Sequence, residues 1–166
     1  MIKIKRFLKH SLAMPWQTHH AFSKIVCDAI EKSISASEQQ HLGEIRFVVE
    51  GPLDWYQLWH GCSARQRAIE LFSQLRVWDT EQNSGVLVYV QFAEKQLEIV
   101  ADRGISVRVE QTEWDAICRE MLGFYTEGHY EAGSSAGLQR ITALLMQHFP
   151  GTHKNRNELI NKVTLL

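Results

Sequence analysis

The stretch VWDTEQNSGVLVYVQFAEKQLEIVADRG, residues 77–104, decides the fold. Gly85 to Val90 is an almost unbroken apolar run, the composition of a strand covered on both faces. Ala93-Glu94-Lys95 is a short charged turn, and Gln96 to Asp102 is a second strand, so the pair predicts a β-hairpin. Ahead of it, Asp79, Glu81 and Asn83 place oxygen-bearing side chains at every second residue, followed by Gly85. That spacing resembles the start of a calcium loop. An EF-hand needs Gly at position six and a bidentate Glu at position twelve. Counted from Asp79, those positions are Ser84 and Val90, so the segment is not an EF-hand. Asp, Asn, Ser and Gly are also the residues of an ordinary turn, and a helix-to-strand loop is the plainer reading.

Working outward, Glu44 to Glu50 alternates Ile45, Phe47 and Val49 with Glu44, Arg46 and Glu50, a strand with one buried face. Upstream, Phe22, Ile25, Val26, Ala29 and Ile30 outline a helix with Thr18 as its N-cap. Ser63-x-x-Gln66 is a capping box for a helix carrying Ala64, Ala68, Leu71, Phe72 and Leu75. Residues 51–62, GPLDWYQLWHGC, read as an aromatic loop. Trp114, Ile117, Cys118 and Met121 mark one later helix face, and Leu138, Ile141, Leu144 and Leu145 another, closed by Pro150-Gly151. Helices interleaved with apolar strands predict an α/β protein, a three-layer α/β/α sandwich. The expected organisation is an N-terminal arm (1–17), one domain (18–150) and a tail (151–166) that frays or adds a small strand.

Composition narrows the function. A chain of 166 residues with net charge −1 is no electrostatic magnet for nucleic acid. No stretch approaches the roughly 20 apolar residues of a membrane span. Cys27, Cys62 and Cys118 form neither a CxxC motif nor an even set, and a cytoplasmic location is expected. The eight histidines show no HExxH or HxH spacing. There is no P-loop, GxGxxG or GxSxG, and Cys62 beside His60 reads as a packing pair rather than a reactive thiol. The basic start MIKIKRFLKHSLAM is an amphipathic arm, expected to pack as a terminal segment, with contact to a membrane surface as the alternative.

Residues 64–105 resemble the TPM domain family, named for thylakoid photosystem II repair proteins and an acetylcholine-receptor regulator of worms. The resemblance rests on Ala68 with Leu71-Phe72, on Asn83-Ser84-Gly85, on the apolar strand Val86 to Val90, on Glu94-Lys95 and on Leu97 to Ala101. Downstream, FYTEGHYEAGSSAGLQRI (124–141) resembles the family's F-x-x-G-x-Y-x-x-G stretch. The chain departs from the family pattern at Arg76 to Thr80, where W-G-I-G is usual, and at Ala101 to Gly104, where G-Y-G is usual. The resemblance implies an α/β/α sandwich with a mixed central sheet, and loops at one sheet edge that bind calcium or another divalent cation. The expected ligands are Asp79, Glu81, Asn83 and Asp102, completed by Glu113 or Asp115. The resulting expectation is a binding or regulatory module tuned by a divalent cation. One alternative is a metal-assisted acid phosphatase acting on phosphomonoesters. Another is an interaction module associated with membrane proteins. It docks through residues 53–59 or the N-terminal arm on an unidentified protein, or lies peripherally on the inner membrane face.

Overall fold

The computed structural model describes residues 2–151 and 159–166. A four-stranded sheet of order β3-β2-β1-β4 is built from β1 (Glu44–Glu50), β2 (Gly85–Gln91), β3 (Gln96–Ala101) and β4 (Thr164–Leu165). β1 runs parallel to β2 and to β4, and β2 pairs antiparallel with β3, so the sheet is mixed. The helices before the hairpin are α1 (Ile2–Leu12), α2 (Pro15–Ala21), α3 (Lys24–Glu38), α4 (Trp55–Trp59) and α5 (Ala64–Gln74). After it come α6 (Arg103–Ser106), α7 (Gln111–Thr126) and α8 (Tyr130–His148).

The period-two alternation of the strands sorts the core into two faces. Ile45, Phe47 and Val49 of β1 join Val86, Val88 and Val90 of β2 and Leu97 and Ile99 of β3 against Ile30, Ile117, Met121 and Ile141 of the long helices. Val48, Leu87, Tyr89 and Val100 point the other way, onto Ala64, Ala68 and Leu71 of α5. The architecture is therefore the expected three-layer α/β/α sandwich with a mixed sheet.

Four local expectations are corrected. Thr18 caps nothing: it is buried inside α2, and Ser23 caps α3 by accepting from Val26 N, because the chain turns at Phe22 between the two helices. Ile25 is 76% exposed, since the α3 face that packs runs through Ile30 and Ile34 instead. The expected outer face of β1 is largely covered: Glu44 and Glu50 are buried with Val48, and Arg46 is half-buried. Residues 53–59 are not all loop, because Asp54 and Gln57 form a reciprocal capping box that starts α4.

The tail does not fray over its last residues. β4 lies along β1, and three glutamates hold this segment: Glu44 accepts from Leu159 N, Glu38 from Asn161 Nδ2, and Glu31 from Val163 N. Residues 152–158 of the expected tail lie outside the described residues. The N-terminal arm is helical and is fixed to the domain by its polar side. Arg6 and His10 both meet Glu94 in the hairpin turn, and Leu53 N donates to His10 Nδ1 at 2.9 Å. Burial by itself would raise the Glu94 carboxyl, but hydrogen bonds from Arg6 and His10 outweigh it and hold it below the usual range.

Candidate functional site

The two ends of the sheet carry different candidate features. Because β1 and β2 are parallel, the loops preceding them gather at one end, together with the segment that follows β3. This end carries residues 79–84 and Asp102. The opposite end, about 20 Å away along seven-residue strands, carries the hairpin turn, α4 and α1.

At the first end the loop before β2 is organised by residues between the expected ligands. Thr80 is buried and its Oγ1 accepts from Ser84 N at 2.9 Å, while Ser84 Oγ donates to Leu42 O at 2.9 Å. Asn83 takes a left-handed backbone, φ 50°, which a short amide side chain tolerates. Its Oδ1 accepts from Arg103 Nε at 3.3 Å and Nη2 at 3.2 Å. Its carbonyl accepts from Gly104 N at 3.1 Å. Asp102 caps α6 through Oδ1, which accepts from Arg103 N at 2.7 Å. Its Oδ2 is buried with no hydrogen-bond partner among the described residues. Asn83 and Asp102 thus share one cluster, joined by Arg103.

The other expected ligands are spread out. Asp79 and Glu81 are exposed on the loop. Glu113 pairs with Arg140 of α8 at 3.7 Å, and Asp115 accepts from Gln111 Nε2 at 2.9 Å on the surface of α7. Among the described residues, no three His, Cys, Asp or Glu side chains gather closely enough to hold a metal ion.

A polar chain that the sequence reading passed over lies between α3 and α8. Gly43 N donates to His41 Nδ1 at 3.2 Å, so the neutral ring carries its proton on Nε2. Nε2 then donates to Ser37 Oγ at 2.7 Å, Ser37 to Thr142 Oγ1 at 2.6 Å, and Thr142 to Leu138 O at 2.6 Å. This polarity is the reverse of a nucleophile–base dyad, in which the ring must accept the hydroxyl proton. The chain is a lock between two helices. Its sequence signal is only the i, i+4 spacing of Ser37 and His41. Cys62 likewise does not fit a reactive thiol, because burial pushes its pKa up rather than favouring the thiolate.

Two buried groups here titrate in opposite senses. Burial lowers His41 to about 4 and raises Glu38 to about 7. His41 resists protonation when folded, so its contribution to stability is lost as pH falls from 6.5 toward 4. Glu38 resists ionisation when folded, so its contribution is lost as pH rises from 4.5 toward 7. The two slopes oppose each other between those limits. Glu38→Gln is expected to leave a protein that loses about 3 kcal/mol on acidification from pH 6.5 to 4. His41→Asn is expected to gain stability over the same acid range. Urea melts at stepped pH test this, and parallel profiles for both variants would refute it.

At the opposite end, Arg6 and His10 turn the polar side of α1 inward, and its apolar side faces out. Ile4, Phe7, Leu8 and Leu12 are exposed, as are Met14 and, at the start of α2, Trp16. Beside them on α4 stand Trp55 (69% exposed), Tyr56 (59%) and Trp59 (70%), with only Leu58 buried beneath. His60, expected to pack in a loop, instead stacks exposed on Tyr56 at 4.1 Å. No helix among the described residues is long and apolar enough to cross a membrane.

Comparison with known proteins fits this fold. The family model described as the TPM domain matches residues 17–144. The solution structure of the BA42 protein from the psychrophilic bacterium Bizionia argentinensis is similar at 25% identity. Its TM-score is 0.76, with 87% of this chain and 94% of that one covered. The N-terminal domain of a protein from P. gingivalis, also solved by NMR, shares the fold at 15% identity. Its TM-score is 0.63, with 81% and 82% covered. No curated protein matches the chain. With more than half of its length matched by the family model, the chain belongs to the TPM domain family.

Proposed function

We infer that the protein is a binding module that docks through the surface built by α1, the start of α2 and α4. The observation that carries this reading is the outward apolar side of α1 beside the exposed Trp55, Tyr56 and Trp59. Soluble monomers rarely leave such a contiguous apolar surface open, and where they do it marks an interaction site. The surface belongs to a helix held in place by Arg6, His10 and Glu94, so it is presented in a fixed orientation. A photo-crosslinking amino acid at position 59 is expected to give an adduct, to a protein or to lipid, in the protein's own cells. The same probe at Val107, exposed at the other end of the sheet, is expected to give none. Equal labelling at both positions, or none at 59, would sink the reading.

A second reading, regulation by a divalent cation, is favoured by Asp102, whose Oδ2 is buried beside Asn83 without a hydrogen-bond partner among the described residues. Calcium takes six to eight oxygen ligands and accepts carbonyls and waters among them. Asp102 and Asn83 supply two side-chain oxygens; Asp79 and Glu81 on the adjacent loop are the further carboxylates within the segment. The cation would have to displace the Arg103 guanidinium from Asn83, so binding at about the millimolar level is expected. Calorimetric titration of calcium is expected to give heat that Asp102→Asn removes. No heat and an unchanged melting temperature at that concentration would end the cation reading. The phosphatase reading depends on the same carboxylates and stands or falls with the cation they would hold.

A further inference from the structure

We propose that the occupant of the α1–α4 surface is an anionic lipid bilayer, and that the domain sits on it with the hairpin-turn end of its sheet facing the membrane. This rests on the docking reading above and names its partner.

Three observations favour a bilayer. The first is the inverted orientation of α1. An amphipathic helix on a soluble domain normally buries its apolar side. Here the side carrying Arg6 and His10 is tied to Glu94, Leu53 and Cys62, while Ile4, Leu8 and Leu12 face out at 67%, 55% and 72% exposure. These three residues recur every fourth position and form a single ridge along the helix. The second is the kind of side chain on α4. Two tryptophans and a tyrosine have an apolar ring and a polar N–H or O–H, which suits the boundary between headgroups and acyl chains. α4 itself carries no charged residue, and its N-cap Asp54 is turned onto Gln57 N at 2.8 Å.

The third is charge. The chain is nearly neutral overall, but α1 holds four basic residues, Lys3, Lys5, Arg6 and Lys9, and no aspartate or glutamate. The rest of the chain has 14 lysines and arginines against 19 acidic residues. Lys95 is exposed on the hairpin turn next to Glu94, and Glu94 is already ion-paired with Arg6 and hydrogen-bonded to His10. A basic, acid-free helix with an apolar ridge is the pattern of an interfacial helix that prefers anionic lipid. A protein partner would match the ridge and the charge as well, and it is the combination of both with the ring of two tryptophans and a tyrosine that favours the bilayer.

The test is flotation of the full chain with vesicles of phosphatidylcholine alone and of phosphatidylcholine with about 30 mol% phosphatidylglycerol, at low salt. The bound fraction is expected to be at least several-fold higher on the anionic vesicles, with a blue shift of tryptophan emission, and to fall as salt rises. Leu12→Glu with Trp55→Glu is expected to abolish binding. Both side chains are exposed, so the variant should keep its melting temperature, and Val107→Glu should bind like the unmodified protein. Absence of binding to either vesicle, equal binding to both, or binding unaffected by the double substitution would overturn the proposal. So would a dimer in solution that the double substitution splits. In each of these cases a position-specific crosslink at residue 59 to a protein would leave the docking reading standing with a different occupant.

Discussion

Gly85→Ala is expected to lower the melting temperature by about 10 °C or more, the equivalent of roughly 3 kcal/mol or above. A β-carbon at residue 85 would lie 1.9 Å from the carbonyl oxygen of Val77 and 2.9 Å from its carbonyl carbon. No side-chain rotation relieves a clash with backbone. Val77 cannot retreat either: it is fully buried against the α5 side of the sheet, and its N–H is bonded to Phe72 O at 3.0 Å. The alternative is for β2 to shift, but Gly85 is paired with Glu44 at the start of the parallel ladder, and its carbonyl accepts from Asp102 N at 2.9 Å. A shift there disturbs both neighbours of the central strand. Gly123→Ala is the counterpart: it sits in α7 with nothing near its missing β-carbon, and should gain about 0.5–1 kcal/mol. Thermal melts of the two variants, followed by circular dichroism, decide the matter. A Gly85→Ala protein melting within a degree or two of the original would show that the close approach is not needed.

Gly85 also marks how far the sequence carries. The apolar run after it, the charged turn and the alternating strand specify a hairpin, because each is a local pattern that burial on two faces demands. The helix faces at Trp114–Met121 and Leu138–Leu145 are legible for the same reason. What is not legible is the reason for the glycine, which lies in a contact with Val77 eight residues upstream. Glu44 and Glu50 look like the solvent side of β1, because local alternation cannot reveal that α5 and the tail cover that side. The exposed apolar side of α1 misleads in the opposite sense. Ile4, Leu8 and Leu12 read as an apolar helix side fit for packing, and only the bonds from Arg6 and His10 to Glu94, more than eighty residues away, decide that it faces out. For the candidate cation loop, spacing identifies oxygen-bearing residues, and the fold joins Asn83 to Asp102 while leaving Glu113 and Asp115 in the company of α7 and α8.

Glu50→Ala is expected to cost about 3–5 kcal/mol, because it strands a charge rather than merely removing a bond. Glu50 is 6% exposed. Its carboxylate accepts from Arg67 Nε at 3.0 and 3.1 Å, from Arg67 Nη2 at 2.8 Å, and from the Tyr89 hydroxyl at 2.6 Å. Among the described residues Arg67 has one further partner, Glu70 at 3.3 Å, on the exposed side. Without Glu50 the guanidinium and the phenol both lose their main acceptor beneath α5. Arg67→Ala should cost a similar amount by leaving the carboxylate buried. The two penalties are not additive, since each already contains the cost of an abandoned partner. Glu50→Leu combined with Arg67→Met and Tyr89→Phe removes every member of the network, and should therefore recover most of the lost stability. Urea unfolding of the single, double and triple variants measures this. A triple variant as unstable as Glu50→Ala would mean that the network is worth more than apolar packing in its place. The same set separates fold from function. Glu50 ends β1 just before the turn into α4, so its loss should loosen the strand end that presents Trp55 and Trp59. The repacked triple variant restores that support without touching the surface, and it should bind anionic vesicles as the unmodified chain does.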